Sequence, residues 1–135
     1  MHDITICNQN MSVLNDNYGA RPPKAYKAAS LAAEGRVAPG TDLVRVYSSN
    51  RGNMERSWTM QRRDVQGLTP SEIKDKWALP EVPDLICDVE ATGLRSRVGI
   101  AGENAFGQGG KIQVELLERG AKFTNPRPIG PGGAL

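Results

Sequence analysis

Gln113 and Glu115 stand two residues apart in the segment Lys111–Leu117, so as a strand it carries an amide and a carboxylate on one face. The glycine-rich turn Phe106-Gly107-Gln108-Gly109-Gly110 runs straight into it. Its glycines remove side chains from the approach, and Phe106 adds an apolar plate. The turn follows no strand-to-helix pattern, which argues against both a P-loop and a dinucleotide fingerprint. Arg45, between Val44 and Val46, is the second candidate. Its planar five-donor fork matches diphosphate oxygens bidentately, although an edge charge or a surface ion pair is the ordinary use of such a residue. Alternation sets Leu43, Arg45 and Tyr47 on one face of that strand and Val44 and Val46 on the other.

What the chain lacks narrows the chemistry. Its one histidine is His2, which argues against a Ser-His-Asp triad, a His-rich zinc site and the His-based acid–base work of many ribonucleases. A net charge of +2 with scattered Lys and Arg reads as a solvated surface rather than a nucleic-acid groove, and aromatics at 5% leave no visible base-stacking platform. Cys7 and Cys87 have no metal-like spacing and read either as one bridge or, by preference, as two small core residues. No apolar run reaches membrane-spanning length, and no charged stretch precedes a leader-like one.

These candidates need elements to hold them. Residues 1–20 read as a linker or N-terminal arm, 21–125 as one catalytic domain, and 126–135 as a Pro/Gly-rich tail with no core of its own. Lys24–Glu34, after Arg21-Pro22-Pro23 and before Gly35, predicts a helix. Thr69-Pro70-Ser71-Glu72 predicts a capping-box start for a second helix, through Trp77 and stopped by Pro80. Short strands are expected at Asp42–Ser48, Arg56–Met60, Leu85–Ala91, Arg97–Ala101, Lys111–Leu117 and Lys122–Thr124. The fold class is therefore α+β: a small domain with an N-terminal helical part and a short-stranded, mostly antiparallel sheet.

Taken in order, Pro39-Gly40-Thr41-x-Leu43-x-Arg45, Trp58-Thr59, Ala78-Leu79-Pro80, Gly99-Ile100-Ala101 and Phe106-Gly107-Gln108-Gly109-Gly110-x-x-Gln113 resemble the tuberculosis necrotizing toxin family. The similarity spans about residues 37–117. Ser48 stands where that family usually has a glycine, and its mid-domain histidine, seen in some members, has no counterpart. The resemblance implies an NAD glycohydrolase from the C-terminus of a polymorphic or contact-dependent inhibition toxin. Such a domain is delivered within a larger protein, acts in the target-cell cytoplasm and is restrained by a cognate immunity protein. It implies that Arg45 holds the NAD phosphates, that Trp58 lines the pocket, and that Phe106 and Gln113 act near the nicotinamide ribose. Tyr47, Thr59, Gly109 and Gly110 are further substrate-binding candidates. NAD would be substrate rather than cofactor, with no metal, nucleic acid or membrane segment involved.

That reaction suits a site without histidine. The nicotinamide ring leaves a cationic glycoside as a neutral molecule, so nothing must protonate it. The transition state resembles the oxocarbenium ion of glycoside hydrolysis. A glutamine can hold a ribose hydroxyl or a water and stabilise developing positive charge through its carbonyl oxygen. Water attack yields ADP-ribose; attack by an adenine nitrogen closes a ring. Three other classes stay open, one of them a non-enzymatic binding module that would need none of these residues. An ADP-ribosyltransferase would use Glu115 as its carboxylate, with Arg45, Trp58-Thr59 and Gln113-x-Glu115 as its elements; an RNA-cleaving toxin domain would need an acid–base pair other than histidines.

Overall fold

The computed structural model describes residues 6–13, 31–50, 54–103 and 105–130. In chain order the elements are β1 (Ile6–Val13), β2 (Leu31–Val37), β3 (Leu43–Tyr47), β4 (Trp58–Gln61), α1 (Arg62–Val65), α2 (Pro70–Lys76), β5 (Leu85–Glu90), β6 (Arg95–Ile100), β7 (Ile112–Leu116) and β8 (Lys122–Pro128). The strands form one sheet in the order β1-β2-β6-β7-β4-β3-β5-β8, and the registered pairs are antiparallel throughout.

Two short links reveal how this sheet bends. Residues 91–94 join β5 to β6, and residues 117–121 join β7 to β8, yet neither pair is adjacent in the sheet. Links this short can cross only if the sheet folds over, bringing the β2-β6-β7 half against the β3-β5-β8 half. The apolar residues agree. Val37, Val98, Val114 and Leu116 from one half pack with Leu43, Cys87 and Val89 from the other in an inner core. Alternation turns the next residues outward. Val44, Val46, Met60 and Ile86 form a second core beneath Val65, Ile73 and Trp77. The outer face of the other half stays polar, with Glu34, Arg97 and Glu115 along it. Burial on one side with solvent on the other is what an antiparallel sheet permits.

Helix α2 starts as its sequence predicts. The Thr69 hydroxyl accepts from the Glu72 N–H at 3.2 Å, and the Glu72 carboxylate accepts from the Thr69 N–H at 2.8 Å, with Pro70 in the first turn. Asp42 and Asp88 flank Arg62 at 2.9 Å each, tying the start of α1 to the strands below.

The N-terminal expectations require correction. The helix predicted over Lys24–Glu34 lies mostly outside the described residues, and its last part, Leu31–Glu34, is strand β2. Ala32 and Ala33 are buried there, and pairing of β2 with both β1 and β6 overrides their helix propensity. Part of the expected arm, Ile6–Val13, pairs with β2 as β1. At the other end β8 continues past the expected tail boundary to Pro128, and Ile129 packs on the second core. Cys87 is a buried thiol with no disulfide, in accord with a core role. No described helix is long and apolar enough to cross a membrane.

Candidate functional site

Strand β7 lies inside the sheet between β6 and β4, and its register fixes the neighbours of both candidate side chains. Gln113 is opposite Gly99, and Glu115 is opposite Arg97 on one side and Trp58 on the other. Arg97 Nη1 donates to Glu115 Oε1 at 3.2 Å while its Nη2 lies 2.8 Å from Glu34 Oε2. A row Glu34–Arg97–Glu115–Trp58 therefore crosses four strands on the outer face. Gln113 belongs to the same face but is only 8% exposed. The Ile112 carbonyl, one residue before it, accepts the Trp77 indole N–H at 3.0 Å, so the end of α2 closes over the start of β7.

Arg45 belongs to the other face. Leu43 and Tyr47, its alternation partners, pack in or against the inner core, and Cys87 is its cross-strand neighbour. Arg45 thus points between the two halves of the sheet, whereas Gln113 points out of one of them. Its Nη1 donates to the Trp58 carbonyl at 3.1 Å, and its guanidinium lies 5.8 Å from the Tyr47 ring centroid. The registered β3–β4 pairs are Leu43–Gln61 and Val44–Met60. Arg45 reaches the β4 carbonyl just past that short ladder. Burial, with the charge of nearby Arg56 as a lesser contributor, pulls its pKa below the usual arginine value. It pushes the Tyr47 hydroxyl and the Cys87 thiol up.

The glycine turn is occupied by the protein itself. A Cβ on Gly107 would come within 2.7 Å of the Asp75 carbonyl oxygen, and one on Gly109 would run into that of Ala101. Gly109 N–H donates to the Asp75 carbonyl at 2.8 Å, and Gly110 N–H to the Ala101 carbonyl at 2.9 Å. Gly109 and Gly110 both have positive φ. Close backbone approach is real, but the partners are the end of α2 and the backbone of Ala101 and Gly102, just after β6. Phe106 is half-buried, and its carbonyl accepts from Lys74 Nζ. Thr59 is buried, with its hydroxyl donating to the Val114 carbonyl at 2.7 Å.

The sequence-predicted residues therefore fall into three groups. Gln113, Glu115 and Trp58 share the outer face of β7 and β4; Arg45, Tyr47 and Thr59 share the inner face; Phe106, Gly109 and Gly110 form the turn on α2. Arg97 and Glu34 were missed. Alternation in Arg95-Ser96-Arg97-Val98 gives the face of Arg97, but its carboxylate neighbours depend on strand order, which no local signal carries. Compared with protein-family models, curated proteins and solved structures, the chain matches none of them.

Proposed function

We propose that this domain cleaves the nicotinamide N-glycosidic bond of NAD, as a glycohydrolase, on the outer face of β7. One observation carries the reading: Gln113 and Glu115 share that face, with Trp58 directly across from Glu115. An indole can pack on the nicotinamide or ribose, and the Gln113 amide can stabilise charge developing on the ribose. Arg45 has no part at this surface, because it points into the opposite layer. Arg97, held between Glu34 and Glu115, is the guanidinium on the reacting side. The order of motifs shared with toxin NAD glycohydrolases supports a role within a larger delivered toxin, with an immunity protein as partner in the producing cell.

Transfer of ADP-ribose to a macromolecule is the second reading. The Glu115–Arg97 contact favours it, since Arg97 fixes the carboxylate orientation that a transferase would need. The purified domain incubated with NAD decides between them. Nicotinamide with free ADP-ribose or its cyclised form supports the glycohydrolase. Nicotinamide formed only with a modified acceptor supports the transferase, and no nicotinamide under either condition overturns both.

A further inference from the structure

A cleft of about 570 Å³ opens beside the inner layer, between the start of β4 and the β7–β8 link. Its volume falls within the range of about 300–1,000 Å³ typical of small-molecule sites. Arg56 and Arg119 stand on its walls, both exposed, while Leu116, Ala121 and Phe123 supply apolar surface reaching the inner core. Two carboxylates, Glu55 and Glu118, also line it. The Glu118 carboxylate accepts from the Arg95 N–H at 2.8 Å and lies 3.5 Å from Arg36 Nη1, so much of its charge is directed away from Arg119. Behind the wall stands Arg45, bonded to the carbonyl of Trp58, the residue after Ser57, and near enough to Arg56 for the two charges to repel. Two guanidinium groups and two carboxylates thus line one apolar-floored concavity on the face opposite Gln113, with the charge of Arg45 behind it.

We infer that this cleft binds a small phosphorylated ligand with a planar, uncharged body, of the nucleoside monophosphate class, its phosphate held by Arg56 and Arg119 and its ring against Phe123. Guanidinium forks suit phosphate oxygens, and an aromatic face takes a planar ring. Contact of the ring with Phe123 favours a phosphate carried on a planar, uncharged body over inorganic phosphate. The assignment is independent of NAD cleavage, because none of these residues belongs to the β7 face.

Calorimetric titration of the whole domain with AMP, at low and moderate salt, tests it directly. AMP should bind in preference to adenosine and to inorganic phosphate, with affinity falling as salt rises. Arg56→Ala and Arg119→Ala should each weaken AMP binding roughly ten-fold or more, as expected for loss of a charge-assisted contact. Both residues are exposed, so unchanged circular dichroism and melting temperature would verify folding. Phe123→Leu keeps the apolar packing and should weaken AMP while leaving phosphate alone unaffected. No AMP binding, equal binding by the double arginine variant, or phosphate binding as tight as AMP would overturn the assignment. Nicotinamide release is not the readout, so failure here and failure of the glycohydrolase reading are separable.

Discussion

The Arg45 guanidinium and the Trp58 carbonyl are joined by a 3.1 Å hydrogen bond at the point where the registered β3–β4 ladder ends. Without it, the Trp58 carbonyl at this opening would lose a charge-assisted hydrogen bond. Arg45→Ala should therefore destabilise the domain by about 1.5–3 kcal/mol, the usual range for a hydrogen bond to a charged group. Arg45→Lys should recover part of the loss, since an ammonium can donate but lacks the planar fork. Urea unfolding at neutral pH measures both; wild-type midpoints would mean that the bond is structurally idle.

Gln113 and Glu115 separate the two enzymatic readings. If the glycohydrolase reading holds, Gln113→Ala lowers turnover about a hundred-fold, on the order of 3 kcal/mol of transition-state stabilisation, with little change in KM. Glu115→Gln then has the smaller effect. The transferase reading reverses that order. Nicotinamide release by the two folded variants is the measurement.

The glycine turn is built against backbone, which cannot step aside. Gly107→Ala and Gly109→Ala should each cost about 1–3 kcal/mol or more, as overpacking does. Gly109 carries the added strain of its positive φ. Thermal melts of both variants should fall well below wild type; a Gly107→Ala melt equal to wild type would show that α2 is not seated on this turn.

Acid should loosen the outer layer through Asp88. Burial acts to raise its pKa, but hydrogen bonds from Arg62 and Asn125 and the nearby Arg127 outweigh it and hold the carboxyl below its ordinary value of 3.8. A group whose pKa is lower in the folded than in the unfolded state stabilises fully above the unfolded value and loses that contribution as pH falls through the folded one. The melting temperature should thus drop below about pH 4. Asp88→Asn should melt lower at pH 7 and show a shallower decline; parallel curves would exclude this carboxylate as the cause.

Ser96 offers the opposite sign. Its hydroxyl is fully buried in the inner layer and has no hydrogen-bond partner among the described residues. Ser96→Ala removes a desolvated polar atom and should leave stability unchanged or raise it by about 1 kcal/mol. A loss of more than that in urea unfolding would reveal a partner for the hydroxyl.

Much of the local structure was readable because local signals carry it. Thr69 and Glu72 announce the start of α2, and alternation in Leu43–Tyr47 assigns Arg45 and Val44 to opposite faces, as found. What could not be read depends on partners distant in the chain. Ala32 and Ala33 favour a helix in isolation and become strand only because β1 and β6 flank them. The opposition of Arg45 and Gln113 follows from the registers of β3, β4 and β7 taken together, and no spacing between the two residues encodes it. The glycines of the turn do mark a close approach, but the approaching groups are the backbones of α2 and of Ala101 and Gly102.

The strand order also dictates when the domain can exist. β2 must wait for β6, β4 must wait for β7, and β5 completes its pairing only with β8, so each half of the inner core draws on both ends of the chain. Such distant pairing closes large loops before any contact compensates for the lost entropy, and it places folding on the millisecond-to-second scale of topologically complex β proteins. On a ribosome, a chain that has emerged only through β5 has β1 beside β2 but lacks β6, the partner on the other side of β2, and holds half of its inner layer. Assembly is therefore late, and a nascent fragment presents apolar strands to whatever surrounds it until β8 follows.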